Sequence, residues 1–178
     1  MSKLSWGRPR IFTKDLDTVN ATWKEINTPV EDSTELQTTK GDKMEAPIEG
    51  GQNEDVKYKG STYELVYNIR KYKGRSAPYA TKDGVSTHHY AVALMPEDVT
   101  NIGFVIERTA VSVDDTFTAA DGAIWNVQHD AIAAVTGNTV KWGTLSITEE
   151  NKLSFTETQP AEGATAATFE ESVTTLTT

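Results

Sequence analysis

The chain predicts an all-β fold, an antiparallel sandwich or barrel with little helix, and three observations predict it. Apolar residues recur with period 2 where helical periodicity does not. Threonine is abundant, 26 of 178 residues, and its branched Cβ fits a pleated surface better than a helix. Turn signals separate the apolar runs at intervals of 8–15 residues.

Taken in order, residues 4–12 and 21–26 read as short strands. A short strand at 55–58 turns at Lys59-Gly60 into the clearest strand of the chain, 62–70. There Tyr63, Leu65, Tyr67 and Ile69 face one way, and Thr62, Glu64, Asn68 and Arg70 the other. Residues 88–95 alternate likewise through Tyr90, Val92 and Leu94 and stop at Pro96, which cannot donate to a ladder. The β-branched stretch 104–117 turns at Asp121-Gly122 into 123–130, where Trp125 and Val127 share a face opposite Asn126, Gln128 and Asp130. Gly137-Asn138 leads into 139–148, and Glu150-Asn151 into 152–156. Residues 96–101 and 130–135 are each long enough for one helical turn.

Residues 1–158 therefore read as a single β-sandwich domain, with 30–55 as an extended, glycine-punctuated loop holding Leu36, Met44 and Ile48. The Thr-rich, acidic tail 159–178 is low in complexity and predicts disorder unless a neighbouring subunit restrains it.

Charge is distributed unevenly. Residues 25–55 carry nine acids (Glu25, Glu31, Asp32, Glu35, Asp42, Glu45, Glu49, Glu54 and Asp55) against Lys40 and Lys43. Residues 56–75 carry six bases (Lys57, Lys59, Arg70, Lys71, Lys73 and Arg75) against Glu64. Opposite patches on one chain suit copies that meet head to tail, because unlike patches attract and like patches repel. The acids from Glu31 to Asp55, apart from Glu25, and the six bases are thus candidate assembly residues.

The totals narrow the function. A net charge of −9 opposes binding to DNA and anionic membranes. The basic stretch 70–75 interleaves only Tyr72. No cysteine is present, which excludes disulfides and thiolate chemistry. The N-terminus lacks an apolar signal region and no run reaches membrane-spanning length, so a soluble, non-exported protein is expected. Phosphate-binding glycine loops and a nucleophile elbow are absent. His88-His89 and His129-Asp130 point to opposite faces of their strands, which opposes joint metal binding. Asp15-Leu16-Asp17 and Asp114-Asp115 lack calcium-loop spacing, and nothing selects a catalytic carboxylate pair. No catalytic residue, metal or cofactor is expected. An alternative reading is a monomeric sandwich that binds glycans through exposed aromatics, with Trp6 and Trp142, flanked by Gly7 and Gly143, as platforms.

The stretches LSWGRPRI, TPVEDSTELQTTKGDKMEAPIEGGQNEDVKYKGSTYELVYNIR and TFTAADGAIW resemble virion proteins of Bacteroidales phages and prophages, in the major tail tube family. The resemblance spans roughly residues 3–145 and lies in overall texture. It implies a structural, non-enzymatic sandwich subunit that forms rings, usually hexameric. Those rings stack into a virion tube that conducts DNA, with a long loop reaching the adjacent ring. Implied partners are other copies and the tape measure, terminator and baseplate or tip proteins, with DNA in passage and no membrane. Such proteins usually pack a helix beside the sandwich, which this sequence does not show. An acidic lumen wall would repel phosphate, and the polar strand positions Glu64, Asn68, Gln128 and Asp130 are candidates for it.

Overall fold

The computed structural model describes residues 3–176, in which twelve strands and no α-helix occur. They are β1 (Arg10–Asp15), β2 (Trp23–Glu25), β3 (Glu35–Thr39), β4 (Lys43–Pro47), β5 (Asn53–Tyr58), β6 (Thr62–Arg70), β7 (Val85–Met95), β8 (Gly103–Thr118), β9 (Gly122–Ala131), β10 (Val140–Ile147), β11 (Lys152–Glu157) and β12 (Thr168–Thr174). The all-β class read from the sequence is the class observed.

The architecture turns on β8. One edge of this strand pairs with β7 from Phe104 to Ser112, with two register shifts. Its other edge pairs with β10 over Gly103–Ile106 and with β9 from Thr109 onward. The first half closes a ring of seven strands, β8-β10-β11-β12-β2-β1-β7, and the second half carries an open wing, β9-β6-β3. Phe12, Ala93, Val105, Leu145, Leu153 and Phe155 fill the ring. A second core lies on the other face of the shared strands, where Ile11, Val92, Phe104 and Ile106 meet Leu65, Tyr67, Ile69, Val111 and Val127 of the wing. Strands shared by two cores must be apolar on both faces, which is why residues 90–95 read YAVALM rather than alternating strictly.

Several expectations are corrected. The first strand begins at Arg10 rather than residue 4, because Pro9 lacks an N–H and Gly7, at φ 97°, lies against the Glu97 carboxylate that accepts the Arg8 N–H. The segment 96–101 makes only a turn, closed by the Asn101 N–H on the Asp98 carbonyl at 3.0 Å, and 130–135 leaves β9 with the Ile132 N–H on the Arg108 carbonyl. Second, β5 pairs with β4 and not with β6. Third, the stretch 30–55 is not a plain loop, since it holds β3 and β4.

Fourth, the C-terminal segment is no separate tail. Its strand β12 inserts between β11 (antiparallel) and β2 (parallel, the one exception to antiparallel pairing among the described strands). Phe169 stacks on Trp23 at 5.4 Å, Val173 is buried in the ring, and the Leu176 N–H reaches the Glu25 carboxylate at 3.0 Å. Contacts within the chain hold this segment. Val173→Asp would place a charge inside the ring, and we expect a loss of about 3 kcal/mol or more in urea unfolding, whereas Thr174→Asp, on an exposed position, should cost under about 1 kcal/mol.

Candidate assembly surfaces

Between β3 and β6 the chain runs out into a two-stranded arm and back. The ladder Glu35–Thr39 on Val66–Thr62 is interrupted at Lys40, Gly41 and Asp42, then resumes as Lys43↔Tyr58, Met44↔Lys57, Glu45↔Val56 and Ala46↔Asp55. Gly41 allows the close crossing at the root, because a Cβ there would lie 2.2 Å from the Lys59 carbonyl oxygen. At the tip, Gly50 and Gly51 adopt φ of 93° and 82°, and no other group lies within 4 Å of where a Cβ would stand on either. Every residue of β4 and β5 is exposed, including Met44, Val56 and Tyr58, and so is Ile48 at the turn.

Folding redistributes the charge reversal seen in sequence. Lys57 and Lys59 lie on the same arm as the acids, so the acidic and basic runs partly neutralise each other. Lys43 pairs with Glu45, holding its carboxyl below the usual range, and Lys59 Nζ stands 3.7 Å from Asp42. Lys40 sits over the Tyr58 ring at 4.5 Å. What survives is a polarised arm: the tip holds Glu45, Glu49, Glu54 and Asp55 with no base between residues 45 and 55, and the lysines gather at the root.

Three predicted acids are not on the arm. Glu35 projects from β3 onto the wing face described next. Glu31 and Asp32 belong to a segment fastened to the far end of β6, where the Val30 N–H bonds the Asn68 carbonyl at 2.7 Å.

The structure brings the four proposed wall residues together. Across the wing the registers align Gln37, Glu64, Asp130 and Ala110; then Glu35, Val66, Gln128 and Ser112; then Asn68, Asn126 and Asp114; then Arg70, Ile124 and Thr116. Because directly opposed residues share a face, these rows form one continuous polar surface backed by Leu65, Tyr67, Ile69 and Val127. Its charges are Glu35, Glu64, Asp114 and Asp130 against Arg70. A hydrogen bond shared with the Asp130 carboxyl raises the Glu64 pKa, and the Gln128 amide donates to both, at 3.1 and 3.0 Å.

Arg70, Lys71, Lys73 and Arg75 lie at the end of β6 opposite the arm, about 25–30 Å away along the nine-residue strand. The loop that carries them is anchored by Tyr79, buried against Tyr67 and His129. Lys71 Nζ is 3.3 Å from Asp115 and 5.4 Å from the Trp125 ring centroid, while Arg75 covers Tyr72 at 4.1 Å and donates to the Arg70 carbonyl. Phe117, 77% exposed, ends β8 at the same extremity.

The rejected metal suspects have structural partners. His88 Nδ1 meets Asp15 at 2.7 Å, which raises its pKa, and the His89 backbone N–H bonds Asp17. His129 is buried. Among the described residues no group of three or more His, Asp or Glu is placed to hold a metal ion. Of the two aromatic platforms, Trp6 is 68% exposed, but Trp142 packs its ring on Phe104 at 5.1 Å and is partly buried. Sequence reading missed Arg8, whose guanidinium reaches Thr28 Oγ1 at 2.6 Å beside Glu31 and Asp32. No local signal marks it, since the contact joins two loops.

No family model matches the chain, and no curated protein is significantly similar to it in sequence.

Proposed function

We propose that this chain is a structural subunit that closes into rings and stacks into a tube, of the kind that conducts DNA through a phage tail. The observation that carries the reading is the arm. A lone two-stranded hairpin is marginal in water, and this one exposes Met44, Ile48, Val56 and Tyr58 with no other strand among the described residues paired to it. Such an element gains a lasting partner when a second copy supplies the surface. The wing adds support: it ends at β3, a strand with an unpaired outer edge, and such edges invite pairing between chains. Its polar, acid-rich face fits a channel wall that does not adhere to phosphate.

In this reading the protein has no catalytic role, works in the virion, and meets other tail components only at the ends of the tube. A glycan-binding monomer is the second reading, favoured by exposed Trp6. Mass photometry across a hundredfold range of concentration separates the two. The tube reading expects one discrete closed oligomer, with larger stacks as concentration rises. A monomer throughout, with glycan binding lost on Trp6→Ala, would support the second reading instead.

A further inference from the structure

Resting on that assembly reading, the geometry points to a specific seat for the arm: a groove along residues 28–32, bounded by Arg8 at one end and by Arg70 and Arg75 at the other, receives the acidic arm tip of a second copy. Two cavities, of about 640 and 380 Å³, share Thr28, Pro29, Val30 and Glu31 and together make this groove. It lies at the far end of β6 from the arm, since Val30 is fastened to Asn68, so one copy's arm and the next copy's groove face each other in a head-to-tail stack.

The chemistry of the two surfaces matches. The tip offers Glu45, Glu49, Glu54 and Asp55 on a turn kept slim by Gly50 and Gly51. The groove offers three guanidinium groups, each with five N–H donors in a planar fork suited to carboxylates. Arg8 is oriented by Thr28, and Arg75 by the Arg70 carbonyl and the Tyr72 ring. Pro9, Pro29, Val30 and Leu94 give the groove an apolar floor for Ile48, which is exposed beside the tip. Glu31 and Asp32 line the same groove and oppose an acidic guest. Their carboxylates therefore weaken the contact, and Glu31→Gln with Asp32→Asn should strengthen stacking. Asn is tolerated at position 32, where φ is 58°.

The test is a charge exchange in the full chain, read by sedimentation and electron microscopy. Arg70→Glu with Arg75→Glu should raise the concentration needed for stacking at least tenfold while rings still close. Adding Glu49→Lys and Glu54→Lys to that chain should restore it. If the glutamate variant misfolds, a cross-link takes its place, since the chain has no cysteine of its own. Glu31→Cys with Glu49→Cys should give a disulfide ladder of oligomers on oxidation, and each single variant no more than a dimer. Charge variants that stack just as the wild type does, or a double-cysteine chain that gives no ladder, overturn the groove alone. Wild-type protein that never assembles overturns the assembly reading and the groove with it.

Discussion

Replacing residues 43–58 with a two-residue turn between Asp42 and Lys59 should leave a folded subunit that, on the proposed reading, no longer stacks. Each half of that outcome has its own cause. The fold survives because the arm contributes nothing to either core: all of β4 and β5 is exposed, and their only ladder is with each other. The melting temperature should shift by no more than about 2–4 °C, the scale of 1 kcal/mol in a domain of this size. Stacking is lost because the acidic tip and the apolar residues Met44, Ile48, Val56 and Tyr58 leave together. Ring closure, which the reading assigns to the wing, should persist. Light scattering would then show the ring mass with no growth on concentration. A single substitution, Gly41→Val, should produce a milder version, because its Cβ would lie 2.2 Å from the Lys59 carbonyl oxygen, so the root must shift and the arm is redirected.

Replacing His129 produces the largest stability effect expected from one polar residue. The ring is fully buried, and burial pushes its pKa down to about 3. Thr109 Oγ1 donates to the Tyr90 carbonyl at 2.8 Å, so it accepts from His129 Nδ1–H at 3.0 Å. Nε2, with a single lone pair, then accepts from one of the two tyrosine hydroxyls, each 2.9 Å away, while the Tyr67 and Tyr79 hydroxyls bond each other at 2.7 Å. His129→Leu leaves the Thr109 hydroxyl without its donor and one tyrosine hydroxyl without its acceptor in the core, and should cost about 2–3 kcal/mol in urea unfolding at pH 7.

The same ring sets a pH dependence. Unfolded, it takes up a proton near pH 6.5; folded, it stays neutral down to about pH 3. Between those values the unfolded chain holds the extra proton, so stability falls as pH drops from 6.5 and is level above it. Between pH 6.5 and 4.5 the loss should reach about 2–3 kcal/mol. His88 works in the opposite sense. Its raised pKa gives stability fully present below pH 6.5 and lost as pH rises through the folded value, and Asp15→Asn removes that contribution. The lowered pKa values of Glu25 and Asp15 add their own loss only near and below pH 4.5. His129→Gln, whose amide can donate to Thr109 and accept from a tyrosine, should therefore flatten the 6.5–4.5 window. An unchanged slope in that variant would assign the effect elsewhere.

Much of the fold was legible because period 2 is a direct consequence of one buried face. Tyr63, Leu65, Tyr67 and Ile69 announced β6, and the polar row beside them assembled one face with β9 as the alternation required. Reading failed where composition hid the pattern. In the threonine-rich C-terminal segment only Phe169 and Val173, four residues apart, mark the buried side of β12. Turn choice failed at Lys59-Gly60, a plausible hairpin signal that is in fact the root of an arm whose turn is Gly50-Gly51. Charge runs read along the chain also misled, because Lys57 folds back beside Met44 and Glu31 travels to the far end of β6. Arg8 and residues 28–32 became neighbours only through tertiary packing, which no local spacing records.

A cryo-electron microscopy reconstruction of the assembled wild-type protein should show stacked rings in which the face bearing Glu64, Asn68, Gln128 and Asp130 lines an axial channel and residues 43–58 bridge one ring to the next. Monomers at every concentration, or rings with that face turned to the outside, would contradict the tube reading.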